Sequence, residues 1–343
     1  MAIQAEKLAR LLAQDGYSVR TVRTNAAPSA KAGLISRIPG LRTSKNLLRF
    51  LTDLRKALPH CDVVYFFSGF FHFFFHVTFP GLILINLHRK PVILSARGGD
   101  ARLFFKRHRK WVAPILRRVD LITTPSGFLQ AAFKDTLGLD TTVLPNIADL
   151  KQFTFMQRDV FRPRLLVTRN LEPIYDVACV INAFALVAQK YPDAVLTIAG
   201  HGSQRAYLEK LAADLALQNK VGFLGQISHD RIQQAYQEHD ISVNASRVDN
   251  LPGTILEAFA CGLPVVSTNA GGIPYLVEHE RTGLLSPVGD SQALARNVLR
   301  IVAEPGLGRA LAAAGRCETA KYSWEHVRPL LREVFKNAGK LGS

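Results

Sequence analysis

Apolar residues in this chain fall into short runs closed by turn residues, and helical or apolar stretches separate one run from the next. In the first half the runs "YSVRTV" (17–22), "DVVYFF" (62–67), "PVILSA" (91–96), "DLITTPS" (120–126) and "TTVLPN" (141–146) read as strands. In the second half "RLLVTRN", "AVLTIAG", "KVGFLG", "DISVNAS", "PVVST" and "GLLSP" read the same way. Strand and helix alternating throughout predict an α/β chain with mostly parallel sheets and helices on both faces. Two such series predict two doubly wound domains facing a cleft, with ligands beyond the carboxyl ends of the strands. The polar, proline-ended segment 147–163 marks the seam, giving domains 1–155 and 156–343, with the last helix a candidate to cross back to the first domain.

A doubly wound domain ordinarily opens with a strand and a glycine turn. Here the chain begins inside the first helix, "MAIQAEKLARLLAQDG", so the first strand of the N-terminal domain is expected to be missing and Met1 is read as an internal methionine of a longer chain. That opening helix is amphipathic and lacks the apolar core of a signal peptide.

One stretch, "SRVDNLPGTILEAFACGLPVVS" (246–267), concentrates the candidate chemistry. Asn250 is placed to cap a helix, Pro252 suits its first turn, and Gly262 with Pro264 ends it before a buried strand. Asp249 sits in the entering loop and Glu257 on the first turns. The backbone N–H groups of Leu251, Gly253 and Thr254 then lack intrahelical partners, which makes the helix N-terminus a candidate anion site.

Charge changes the picture for the first half. Residues 1–150 hold 22 Lys and Arg against 9 Asp and Glu, a net of +13 out of +16 for the whole chain. The segment 97–118, "RGGDARLFFKRHRKWVAPILRR", carries eight of those basic residues with an apolar face, a pattern suited to an anionic membrane surface. Each basic residue near such a surface contributes about 1 kcal/mol. Residues 63–86 hold no charged residue and eight Phe, yet His72, His76, Gly69, Pro80 and Gly81 interrupt them, so a buried strand and an aromatic helix are expected rather than a membrane span, with some of the Phe available to lipid. The four cysteines are dispersed, which suggests neither a zinc site nor a disulfide framework and suits a reducing cytoplasm. No recognised nucleic-acid module accompanies the basic segment, so no nucleic-acid partner is expected.

The chain resembles the retaining glycosyltransferases of family 4, which have the two-Rossmann GT-B fold. The E-x7-E motif of that family is similar to Asp249-x7-Glu257 followed by "AFACGLPVVST". "IAGHGS" (198–203), "VGFLGQI" (221–227), "NAGGIPYLVEHERTGLLSPVGD" (269–290), "TPSGFL" (124–129), "VLPNIADLKQF" (143–153) and "YSWEHV" (322–327) match in order and spacing. The resemblance implies a nucleotide-sugar donor, UDP- or GDP-linked, with Glu257 accepting from its ribose hydroxyls. Asp249, Asn250, Leu251, Pro252, Gly253 and Thr254 would face the donor sugar and its phosphates, Arg169 the phosphate, and Gly202 and Gly225 the nucleotide. It also implies a lipid-linked or polysaccharide acceptor, a hexosyltransferase working in polysaccharide assembly at the inner membrane face, and no cofactor or catalytic metal.

Three positions depart from the family. Its lysine aligns with Tyr175, its first motif acid is Asp, and its first-domain histidine is Arg97, a candidate catalytic residue with Asp249 but never a base, because a guanidinium does not deprotonate in proteins. The lost lysine and strand leave a non-catalytic binding or scaffold protein of the same fold as the alternative.

Overall fold

Long apolar runs without alternation are the mark of strands covered on both faces, and the computed structural model, which describes residues 2–24 and 39–341, bears this out in two parallel sheets. Two units divide the chain: one runs to Ile147 and resumes at Trp324, the other spans Ala148–Ser323. The segment just after Ile147 goes with the second unit because Phe153, 3% exposed, packs with Phe259 and Tyr236 there.

In the first unit β1 (Val64–Ser68), β2 (Val92–Ala96), β3 (Leu121–Thr124) and β4 (Thr142–Val143) lie side by side in that order, all parallel. All five residues of β2 are buried. Leu94 joins Phe66, Leu82, Phe104 and Phe133 in one cluster, while Ile93, pointing the opposite way, meets Val334 and Ala338 of the final helix Trp324–Leu341. Arg328 of that helix pairs with Asp15.

Two expectations change here. Residues 17–22 form no strand; Tyr17 through Thr21 are exposed, and Tyr17 places its ring 5.9 Å from Phe335 instead of entering a sheet. The predicted strand 141–146 shrinks to two residues, since only Thr142 and Val143 find partners on β3. The uncharged stretch supplies β1, a π-helical turn Phe74–Thr78 and the helix Phe79–Leu87. Phe70, Phe71, Phe74 and Phe75 gather around Phe104 at 5.2–5.8 Å; Phe66 and Phe74 are buried in the core, and the other six Phe of the stretch are half-buried. Among the described residues no helix is long and apolar enough to cross a membrane.

In the second unit six parallel strands run in the order β10-β9-β8-β5-β6-β7: β5 (Arg164–Thr168), β6 (Val195–Ala199), β7 (Val221–Gly225), β8 (Ile241–Asn244), β9 (Val265–Thr268) and β10 (Gly283–Ser286). The chain reverses its direction of travel across the sheet between β5 and β8, the place where doubly wound sheets open a crevice beyond their carboxyl ends. Leu165 and Val167 face the helices Val177–Lys190 and Ser291–Ala303, whereas Leu166 faces the helix Gly253–Ala260.

Phe259 anchors that last helix; it is fully buried, and Gly315 leaves room for its ring, since a Cβ there would come within 2.5 Å of it. Phe259→Ala is expected to lower unfolding stability by about 3–5 kcal/mol, read as a fall in the urea midpoint without loss of slope.

Candidate functional site

The candidate residues of the second unit converge where β5 and β8 end. Arg169 directly follows β5, and its Nε donates to Asn244 Oδ1 at 2.9 Å, at the end of β8. Its Nη2 donates to Asp249 Oδ2, and the two side chains are only 11% and 16% exposed. Its guanidinium carbon lies 4.9 Å from the centre of the Tyr175 ring. Tyr175, standing where the resembled family has lysine, therefore supports the arginine as an aromatic face supports a cation. Nη1 makes no hydrogen bond among the described residues, so this edge of a fixed cation is the part offered to an anion.

Asp249 uses both its oxygens within the protein, since Oδ1 accepts from Asn250 N–H at 2.8 Å while Oδ2 takes the arginine. Its own carbonyl accepts from Gly272 N–H at 2.8 Å. The approach is so close that a Cβ at Gly271 would lie 2.2 Å from the Asp249 carbonyl oxygen, and one at Gly272 would lie 2.0 Å from that of Asn250. The glycine pair is thus a backbone buttress under the acidic loop. Asn250 does not cap the helix: Gly253–Ala260 starts two residues later than a cap at that position requires, with Pro252 as its N-cap and no side-chain cap bond. The first intrahelical donor is Ile255 N–H to Pro252 O at 3.2 Å, which puts the N–H groups of Gly253 and Thr254 ahead of the ladder. At the other end Arg158 donates to the carbonyls of Cys261 and Gly262 at 3.1 and 3.2 Å, opposite the helix dipole's negative pole.

Glu257 is half-buried one turn into the helix, and its Oε2 accepts from Tyr236 Oη at 3.0 Å. Tyr236 is fully buried, and its hydroxyl also meets Thr168 Oγ1 at 2.9 Å and the Thr254 carbonyl at 3.2 Å. Burial, then the Glu257 charge, push the phenol well above its usual pKa, so it remains a donor to the carboxylate.

Gly200 and Gly202 bring the loop after β6 onto the loop after β5: Cβ atoms there would lie 1.9 Å from the Arg169 carbonyl oxygen and 2.4 Å from that of Leu171. Gly225 has φ +68°, and its carbonyl accepts from Gly200 N–H at 2.8 Å. Backbone packing is enough to require these glycines. Arg97 lies in the first unit at the end of β2, its N–H bonded to Ser68 O at 2.8 Å.

Sequence reasoning missed Tyr236, Thr168, Asn244 and Ser246, whose Oγ donates to Asn244 Oδ1 at 2.8 Å. Asn244 carried a signal, a polar residue ending an otherwise buried strand. Tyr236 carried none, because a tyrosine in a polar helix reads as ordinary surface.

A family model described as Glycosyltransferase Family 4 matches residues 1–152, and one described as Glycosyl transferases group 1 matches residues 156–317. With nearly the whole chain matched and two parallel α/β units on the page, the chain belongs to the family 4 glycosyltransferases of GT-B fold. It is 26% identical over 280 residues to a glycogen synthase of Mycobacterium tuberculosis, covering 76% of this chain and 66% of the relative. To a GDP-mannose-dependent monoacylated alpha-(1-6)-phosphatidylinositol monomannoside mannosyltransferase of Corynebacterium glutamicum it is 30% identical over 254 residues, covering 67% and 65%. The chain thus spans just under two thirds of the length of these curated relatives. In fold it is similar to Anabaena HepE, solved in complex with UDP, with TM-score 0.71, 21% identity, and 87% of this chain and 84% of that one covered.

Removing one hydroxyl tests the arrangement around Glu257. Tyr236→Phe is expected to lower unfolding stability by about 1–3 kcal/mol, because Thr168 and Glu257 both lose a buried partner. Denaturation of the variant beside the parent measures it; an unchanged midpoint would mean the hydroxyl holds nothing.

Proposed function

We propose that this chain transfers a hexose from a UDP- or GDP-linked sugar to a lipid-linked or polysaccharide acceptor, with retention of the anomeric configuration. The carrying observation is one constellation at the carboxyl ends of β5 and β8: a fixed arginine with an open edge, an uncapped helix N-terminus, and a carboxylate braced by a buried phenol. A nucleoside diphosphate has chemically complementary parts, with vicinal pentose hydroxyls for Glu257 and an anion for Arg169 Nη1 and the N–H groups of Gly253 and Thr254. Asp249 acts by holding Arg169 and the loop, Asn250 to Pro252 shape the approach to the helix, and the backbone at Gly202 and Gly225 lies against the nucleotide.

In the reaction the bond from the anomeric carbon to the phosphate oxygen breaks as a bond to the acceptor oxygen forms on the same face. The acceptor's proton passes to the departing phosphate, so no protein nucleophile is needed. Arg169 and the helix N–H groups stabilise the charge that develops on that phosphate. No metal or cofactor enters the proposal. The UDP complex of HepE and the GDP-mannose dependence of the mannosyltransferase support a nucleotide-linked donor, and the latter's phosphatidylinositol monomannoside supports a lipid-borne acceptor. The kinked helix Ala101–Leu116 supports work at an anionic inner membrane face, for it exposes Trp111 (76%) and Leu103 (62%) among its basic residues. The position of Tyr175 beneath Arg169 favours an enzyme over a scaffold, because the site keeps a well-held cation without the lysine.

Glu257→Ala is expected to cut kcat/KM for donor hydrolysis or transfer by about 10- to 100-fold, the loss of one or two charged hydrogen bonds. Assaying UDP- and GDP-hexoses with the parent and the variant checks it. Turnover undiminished in the variant would refute the donor assignment.

A further inference from the structure

Arg158 lies in the polar segment before β5, yet its side chain is only 4% exposed. Its Nη2 donates to the carbonyls of Tyr236 at 2.9 Å and Gln237 at 3.4 Å, in the last turn of the helix His229–Glu238. Its Nη1 donates to those of Cys261 at 3.1 Å and Gly262 at 3.2 Å, just past the helix Gly253–Ala260, and to Met156 O at 3.1 Å. Its Nε stands 3.5 Å from Asp240 Oδ1. One guanidinium thus closes the carboxyl ends of two helices, whose partial negative charges would otherwise face each other. Taking a cation out of water is expensive, and a well-packed apolar side chain would close the same space at less cost. What the arginine adds is a rigid fork that fixes the spacing of everything it holds.

The two helices so held are the ones that carry Tyr236 and Glu257, the partners in the 3.0 Å hydrogen bond from phenol to carboxylate. Tyr236 is gripped directly, because its own carbonyl takes Nη2. Glu257 is gripped through one helical turn: its carbonyl accepts from Cys261 N–H at 3.0 Å, and the Cys261 carbonyl takes Nη1. The contacts therefore form a closed circuit from Arg158 through Tyr236, Glu257 and Cys261 back to Arg158, all within the second unit. Gly262 lets the circuit close, since at φ +75° a Cβ there would lie 2.6 Å from the Met156 carbonyl oxygen. The phenol has little slack: its ring is fully buried and its hydroxyl also meets Thr168 Oγ1 at 2.9 Å, so a shift of either helix end is felt at the carboxylate.

We infer that Arg158 is the positioning residue of the pentose contact: by holding both helix ends on one fork it sets the Tyr236 phenol against Glu257 and so aims the carboxylate at the vicinal hydroxyls of a ribonucleotide. Arg158 touches no ligand and acts only through these two side chains. The inference deepens the reading proposed above and rests on it for the nucleotide. Its signature is selective, because loss of the clamp weakens recognition of the ribose hydroxyls and leaves the diphosphate contacts of Arg169 and the helix N-terminus in place.

Calorimetry on the full chain compares UDP with 2′,3′-dideoxy-UDP, and GDP with its dideoxy form. In the parent the ribonucleotide is expected to bind at least about tenfold more tightly, the worth of one or two charged hydrogen bonds. In Arg158→Lys, which keeps the charge and loses the fork, that preference is expected to fall below about threefold while the dideoxy affinity changes by less than about twofold. Tyr236→Phe is expected to lose the same preference, and Arg158→Lys added to Glu257→Ala to change ribonucleotide affinity by less than about twofold. A preference that survives in Arg158→Lys or in Tyr236→Phe overturns the inference, and so does equal weakening of both nucleotides, the mark of a merely structural prop. Should Arg158→Lys not fold, the coupling is read in the unmutated chain, since linkage is reciprocal. The Met156 N–H donates to Cys261 O at 3.2 Å beside the guanidinium. Its exchange is expected to slow at least about threefold more with the ribonucleotide than with the dideoxy form, and equal slowing overturns the inference. A parent that binds neither UDP nor GDP overturns the donor reading and the inference with it, whereas a parent that binds them without preferring ribose overturns the inference alone.

Discussion

The second unit is organised about the ion pair between Arg169 and Asp249. Arg169 belongs to the end of β5 and Asp249 to the loop after β8, so the pair ties together the two strands that part at the switch point. Around it the restraints accumulate in layers: Asn244 on Nε, Tyr175 beneath the guanidinium, Asn250 N–H on the carboxylate, and the glycine pair 271–272 against the loop backbone. A half-buried pair of this kind is poor evidence of stability in itself. Its consequence is geometric: it fixes where the next helix begins and which edge of the arginine stays open.

That geometry divides the labour between two carboxylates eight residues apart. Asp249 is consumed by the protein, one oxygen on Asn250 N–H and the other on Arg169, and serves by holding a cation in place. Glu257 is braced by a buried phenol and carried on the first turns of the helix Gly253–Ala260. The spacing from Asp249 to Glu257 is therefore the distance from a loop anchor, past a helix start without a side-chain cap, to the first full turn.

Much of this is legible in the residues. Runs such as "RLLVT" and "PVVST" are apolar without alternation, and that pattern alone fixes buried parallel strands and, by repetition, two units. The Asp249 to Glu257 stretch announces a loop, a helix and a strand through Pro252, Gly262 and Pro264. Asn250 misleads about the helix start because it is a good cap by residue type, whereas its backbone rests against Gly272 and Pro252 takes the cap position. The strand expected at 17–22 fails because a short alternating run gives no sign of whether a neighbouring strand is present to accept it. Tyr236 and Thr168 are invisible, since a contact between residues 68 positions apart has no local signature. The reason for the glycines at 200, 202, 271 and 272 is equally hidden: a sequence shows that a side chain is missing, not which carbonyl fills its place.

The first unit presents the complementary case, in which composition speaks first. An excess of positive charge is plain, but most of it is exposed and solvated, while Arg97 is distinguished from the rest only by where the fold puts it. The donor reading proposed for the second unit requires a diphosphate to rest on the start of the helix Gly253–Ala260. Amide hydrogen exchange with and without UDP or GDP examines this most directly. Slowed exchange at Leu251, Gly253 and Thr254 on adding one of the nucleotides is the predicted result, and unchanged exchange across residues 246–257 with both would contradict it.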